Sequence, residues 1–402
     1  ACVLGRKIYY ADGSNEEGAL ANNIPEAAKA FGSKGELEPW VEMTDVFQNE
    51  GTEGYAFALL AGAFGAPLMK FTGYEGAMIS LVGKSGIGKT LMSRWVQSTY
   101  GDQAKLMMLR DDTRNSLISR LGVYGNLPLT IDEVTNIEPN ELSDLVYRIT
   151  QGRDKARLNR NAVERAAQNH WNTLAVVSSN SSLVEKLSGL KADSSAEMNR
   201  VFEYALEPNE HLDRATCTRI FRAINENYGL AGEQFVNRLV EGINQHQAGL
   251  DRLSSHIEKA SGVSSEDRFW CAVVSAAIYG GMVAKKAGLI RFDVSRVLKW
   301  AIKTLQAMKA ERGDSIQDSV TLLSQFIDDH SNSRLVVEVG RNPKVVQQVL
   351  REPRGALYLR FEVDKERVYI SRPRLREWLA KRHASYRTVT AELDSLGVLH
   401  NA

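Results

Sequence analysis

Gly83-Lys84-Ser85-Gly86-Ile87-Gly88-Lys89-Thr90 fits G-x-x-x-x-G-K-[ST], a loop whose backbone N–H groups wrap phosphate oxygens at the positive end of a helix. Gly83, Gly86 and Gly88 carry no side chain to block that approach, and Ser85 and Ile87 complete the loop. Lys89 is the group to neutralise the β and γ phosphates of ATP, and the Thr90 hydroxyl offers one Mg²⁺ position. Asp132 and Glu133 follow an apolar run from Leu127 to Ile131. A carboxylate there binds Mg²⁺ directly or through water, and its neighbour can polarise the attacking water. Asn180 ends a further run, Leu174 to Val177 then Ser178-Ser179, and is the residue type to orient that water from the far side. Each of these last residues also has a plain reading: acids often cap strands, and Asn is a common turn residue.

These groups need elements to hold them. Ala77 to Val82 reads as a buried strand leading into the loop, and a helical pattern follows to about Tyr100. Leu127 to Ile131 and Leu174 to Val177 read as further strands. Arg114 to Leu121 and Glu141 to Thr150 have helical period, so the middle of the chain is α/β with a mostly parallel sheet. Small apolar residues from Thr52 to Phe64 predict a helix packed closely on a neighbour, with Pro67 limiting its extension. From about Asn209 to Ile327 the sequence is nearly continuous amphipathic helix, including Gly232 to His246, Glu266 to Lys286 and Val294 to Ala310. The tail carries a β-like pair, Ala356 to Val363 and Arg367 to Ile370, then helix candidates Arg372 to Lys381 and Tyr386 to Leu396. The expected divisions are a flanking region at 1–50, a P-loop ATPase core at 51–206, a helical subdomain at 207–328 and a basic module at 329–402. The predicted fold class is an α/β P-loop core with a parallel sheet, then an all-α subdomain and a small α+β winged-helix-like tail.

The whole-chain numbers narrow the function. A length of 402 residues gives room for two or three domains, and 43% apolar with 25% charged residues excludes global disorder and fibrous repeats. The net charge of +1 argues against coating a polyanion with the whole surface, so nucleic-acid contact must be local. Cys2, Cys217 and Cys271 show neither zinc spacing nor a disulfide framework, which makes a reducing compartment the default. No uncharged stretch reaches the roughly 20 apolar residues of a membrane span, so no membrane partner is expected.

Ser80 to Thr90, Leu129-Thr130-Ile131-Asp132-Glu133, Val177-Ser178-Ser179-Asn180 and Asn199-Arg200-Val201 together resemble the phage and mobile-element replication NTPases of domain of unknown function 927. Those proteins are similar to the superfamily 3 (AAA+-like) helicases. The resemblance covers about Glu53 to Leu206, more loosely Asp267 to Gly281 and Arg351 to Arg354, and draws little from residues 1 to 50. It implies that Lys89 and Thr90 are the Walker A pair, Asp132 and Glu133 the Walker B pair, Asn180 the first sensor and Arg200 the arginine finger. It further implies a ring, usually a hexamer, with ATP between neighbours and the finger inserted from the adjacent chain. This chain lacks the double-Arg finger pattern of some relatives.

The same families place a DNA-gripping hairpin before the sensor strand, which matches Arg157-Leu158-Asn159-Arg160-Asn161. Spaced charges at Arg157 and Arg160 would meet phosphates rather than read bases, although a solvated charged loop has the same composition. In the tail, from Ser331 to Ala402, 14 Lys plus Arg face 8 Asp plus Glu, a local surplus of 14 − 8 = 6. Arg372, Arg374, Arg376, Lys381, Arg382 and Arg387 make the densest patch. It reads either as a seat for DNA backbone or as a solvated helix face with Trp378 in the core. The expected function is an ATP-dependent ring helicase or translocase on single-stranded or forked DNA, in the cytoplasm of a bacterial host, with a primase as a further candidate partner. The alternative is an ATP-controlled switch that binds DNA or protein without unwinding. A small-molecule kinase would need an acceptor pocket and an Arg-rich lid, for which the sequence offers no compact candidate.

Overall fold

The computed structural model describes residues 2–5, 7–18, 26–154, 169–188, 195–263, 265–315, 319–338, 348–382 and 384–399. Arg157 and Arg160 lie outside them. The chain divides into two compact units, Ala1–Leu187 with Ala196–Glu311, and Ser188–Ser195 with Arg312–Ala402.

The first unit begins with three short antiparallel strands, β1 (Cys2–Leu4), β2 (Lys7–Tyr9) and β3 (Asn15–Glu17). Its central sheet holds β4 (Gly76–Val82), β5 (Met108–Leu109), β6 (Leu129–Asp132), β7 (Thr173–Ser179) and β8 (Val201–Ala205). All are parallel, in the order β5-β6-β7-β4-β8. A strand buried on both faces reads as a continuous apolar run, and this is how β4 and β7 are buried. The order places β7 between the strand that feeds the glycine loop and the strand that ends in the acids. That arrangement brings the tips of β4, β7 and β6 side by side.

The predicted helix from Thr52 forms as Glu53–Leu59, then widens to a π-helix, Leu60–Gly65. Pro67 does not end it: a 3-10 turn, Ala66–Phe71, carries the path onward, with Pro67 near its start where a missing N–H costs nothing. The neighbour is the helix Arg268–Lys286, so close that a Cβ on Gly65 would stand 3.0 Å from the Ala277 Cα. By length and composition Glu53–Phe71 would cross a membrane, but 89% of its apolar window is buried in the protein core. The helical stretch predicted as Gly232 to His246 is two helices, Leu230–Glu241 and Ile243–Ser261, meeting at Gly242. Val294–Ser315 extends the predicted helix by one turn. The three cysteines are free thiols.

In the second unit the expected β pair is part of a four-stranded sheet. β9 (Arg334–Glu338), β10 (Gln348–Arg351), β11 (Leu359–Glu362) and β12 (Arg367–Ile370) lie in the order β10-β9-β11-β12. Helices Ser319–Asp329, Arg372–Lys381 and Tyr386–Ser395 complete a small α+β module. Phe326, Leu359, Leu375, Trp378, Leu379 and Leu393 form its core.

Candidate functional site

β4 ends at Val82, and Gly83 to Gly88 turn the chain into the helix Lys89–Ser98. The turn needs positive φ at Gly83 (155°), Gly86 (88°) and Gly88 (97°), the region open to glycine. A Cβ on Gly83 would also come within 2.9 Å of the Leu206 carbonyl. Gly83 N donates to Ser179 O at 3.2 Å, and Leu206 N donates to Val82 O at 2.8 Å, so the loop is anchored to both neighbouring strands. The Tyr55 hydroxyl lies 2.8 Å from Ile87 O and 2.9 Å from Glu207 O. Burial pushes its pKa up to about 12, which keeps it protonated and able to donate.

Lys89 is 7% exposed, and its ammonium donates to Gly83 O (2.5 Å), Lys84 O (2.9 Å) and Asn180 Oδ1 (2.9 Å). Burial lowers its pKa, while Glu133 and Asp132 act in the opposite sense. Thr90 Oγ1 donates to Asp132 Oδ1 at 3.0 Å, so the two expected Mg²⁺ groups adjoin. Asn180 Nδ2 donates to Glu133 Oε1 at 3.4 Å, and Asn180 N donates to Thr135 Oγ1 at 2.7 Å. Lys89, Thr90, Asp132, Glu133 and Asn180 therefore form one bonded cluster, at the carboxyl ends of three adjacent parallel strands. Open α/β sheets characteristically bind ligands at that edge.

Ser178 was not singled out from the sequence, where it reads only as the end of a strand. Its hydroxyl donates to Asp132 Oδ1 at 2.6 Å and accepts from Glu133 N at 2.9 Å. Nothing local in the sequence signals this, because the contact depends on β6 and β7 being neighbours. Glu203 is a second addition. Its half-buried carboxylate accepts from Ser80 Oγ and Leu183 N, both at 2.8 Å, and from Ser182 Oγ, tying the segment after Asn180 to β4 and β8.

Arg200 stands apart. Its carbonyl accepts from Met78 N at 3.0 Å, and Met78 lies four residues, or about 13 Å of strand, before Val82. The guanidinium packs over Tyr147 (4.9 Å) and Phe269 (5.3 Å) and donates to Ala196 O. It thus sits at the end of the sheet away from its own glycine loop. In the second unit Arg374 and Lys381 pair with Glu377 at 3.0 and 3.1 Å, and Arg382 pairs with Asp329 at 3.0 Å. These two cations hold the Glu377 carboxyl below its usual pKa. Arg382 also stacks on Trp378 at 3.7 Å, and Trp378 is 7% exposed, so it is the core residue of the second reading above.

The donor set suits Mg²⁺. That ion binds through one or two protein oxygens with phosphate and water filling the rest, which is what a hydroxyl beside a carboxylate provides. Among the described residues no group of three or more His, Cys, Asp or Glu forms an all-protein metal cage.

Residues 1–169 match the model of a family described as a domain of unknown function, DUF927. The match takes in the first 50 residues, from which the sequence resemblance draws little, and stops before Asn180 and Arg200. The solved structure of Cch from SCCmec type IV, an active helicase, superposes with a TM-score of 0.67 over 93% of this chain and 69% of its own, at 16% identity. Likeness at that identity concerns the fold. The apo C-terminal region of NrS-1 aligns at a TM-score of 0.29 and 14% identity, over 63% of this chain and 61% of its own, too low to carry an argument. No curated protein matches the sequence. The resemblance to the DUF927 family is borne out over residues 1–169, and the fold is like that of the solved Cch structure.

Proposed function

We propose that this chain is the ATPase of a ring helicase or translocase that moves on DNA and opens the duplex in phage or mobile-element replication. The observation that carries the reading is the single cluster of Lys89, Thr90, Asp132, Glu133 and Asn180 around the glycine turn. In this reading Gly83 to Gly88 cradle the phosphates with backbone N–H groups, and Lys89 moves from its carbonyl acceptors onto the β and γ oxygens. Thr90 and Asp132 would hold Mg²⁺, which supplies charge neutralisation between the β and γ phosphates. Glu133 polarises the attacking water, and Asn180, already bonded to Glu133, fixes its orientation.

Phosphoryl transfer also needs a cation at the γ-phosphate, and Arg200 is the candidate. Its position beside Met78, away from the glycine loop of the same chain, supports delivery to a neighbouring protomer's site and hence a ring, which we take as hexameric. Residues 51–206 then hold the motor, with 1–50 flanking it, 207–328 the helical support, and 329–402 a DNA-contacting module through Arg374, Lys381 and Arg382. Arg157 and Arg160 are the proposed DNA-gripping pair.

One observation favours the second reading, a switch that uses ATP binding without unwinding. Arg374, Lys381 and Arg382 are each paired with an acid of their own unit, which weakens the case that they seat DNA. A strand-displacement assay on forked DNA separates the two. ATP hydrolysis stimulated by single-stranded DNA, with unwinding, supports the motor. ATP binding with neither supports the switch.

A further inference from the structure

The two acids of the cluster do not hold themselves in place. Asp132 ends β6, and Glu133 immediately after it has φ of 58°, a left-handed backbone that a non-glycine residue adopts only when its surroundings impose it. Asn180 holds the Glu133 side chain, and Ser178 of the next strand holds the backbone. Ser178 is 1% exposed, its hydroxyl accepts from Glu133 N at 2.9 Å, and its carbonyl accepts from Val134 N at 2.9 Å. The same hydroxyl gives its only hydrogen to Asp132 Oδ1 at 2.6 Å. Thr90 donates to that same oxygen at 3.0 Å, so both donors lie on Oδ1. Among the described residues Oδ2 receives no hydrogen bond, and it is the oxygen left for a metal or its water.

We propose that Ser178 is a positioning residue for the ATPase: one hydroxyl sets the Asp132 carboxylate and the Glu133 backbone as a unit. This rests on the function proposed above. A serine can do it because it donates once and accepts at the same time, whereas alanine loses both bonds. Cysteine keeps the approximate size but donates and accepts weakly.

The test compares Ser178→Ala and Ser178→Cys with wild type by three readouts. Steady-state ATPase should show kcat down about 10- to 100-fold, the usual loss on removing a group that orients a metal ligand, with KM for ATP within about two-fold. The Mg²⁺ concentration for half-maximal binding of a fluorescent ADP analogue should rise about 10-fold. Hydrogen–deuterium exchange, on protein without added nucleotide, should speed up in the peptide spanning Leu129 to Ile137 and stay unchanged in β4. A role limited to packing would shift thermal stability without moving the Mg²⁺ midpoint. If Ser178→Ala does not fold, Ser178→Cys carries all three measurements. A kcat, a Mg²⁺ midpoint or a Leu129–Ile137 exchange rate at the wild-type level in a folded variant overturns the proposal. If wild type itself shows no turnover, the ATPase reading falls, and the exchange data alone then decide whether Ser178 holds the Glu133 backbone.

Discussion

The Lys89 ammonium donates to Asn180 Oδ1 at 2.9 Å, which joins the glycine loop to the tip of β7. With Gly83 O and Lys84 O as its other acceptors, all three of its hydrogens are engaged. A phosphate entering the loop competes with three neutral acceptors. It wins because the full negative charge of a phosphate attracts the ammonium by a Coulomb force that a neutral carbonyl or amide oxygen lacks. When Lys89 turns to the phosphate, Asn180 loses one partner and keeps Glu133, so phosphate entry is felt directly by the group proposed to orient water.

Asn180→Ala should therefore leave ATP binding intact, since it frees Lys89, yet lower kcat by about 10²-fold because Glu133 loses its partner. Steady-state kinetics check this: a raised KM with unchanged kcat would make Asn180 a phosphate contact instead.

Arg200→Ala is expected to spare nucleotide affinity and cut hydrolysis by about 10³-fold or more. Mixing these subunits with Asp132→Ala subunits should restore part of the rate, because each supplies what the other lacks. Absence of recovery at every ratio would place Arg200 in service of its own chain.

Burial raises the Glu203 pKa above the ordinary carboxylate value, while Ser182, Leu183 N, Ser80 and Val184 N act against that shift. The sign follows from linkage: between the unfolded and the folded pKa the native state holds more protons, so stability from this group falls as pH rises through that window. Relative to Glu203→Gln, wild type should lose stability as pH rises from about 4.5 through the folded pKa, then level off. Denaturant titrations across pH for both proteins measure it, and a difference rising with pH would reverse the assignment.

Trp95 lies on the helix that follows the glycine loop, stacked on Phe47 (5.1 Å) and edge-on to Trp40 (6.2 Å), with no solvent exposure. Trp95→Ala should cost about 3–5 kcal/mol of stability, read by chemical denaturation. A cost under about 1 kcal/mol would show that this aromatic packing does not stabilise the helix after the loop.

What could be read from sequence is what local pattern encodes. The glycine turn between β4 and its helix is local, and so is the helix Arg372–Lys381, found at its predicted bounds. β8 was not foreseen: Val201–Ala205 has Glu203 in its middle, and that carboxylate is satisfied by donors from β4 and the segment after β7. β1 to β3 have three residues each, and β3 is exposed along its length, so pairing rather than periodicity defines them. Pro67 was expected to limit its helix, but at the head of a new 3-10 turn it breaks nothing. Ser178 escaped for the deepest reason, since its role arises from the strand order, which no short window contains.

The most direct test is ATP turnover by purified wild type beside Lys89→Ala, with Mg²⁺ present and thermal unfolding confirming that both are folded. Turnover by wild type that Lys89→Ala abolishes is the predicted result. Full turnover by Lys89→Ala, or a wild-type protein that takes up no nucleoside triphosphate, would contradict the account.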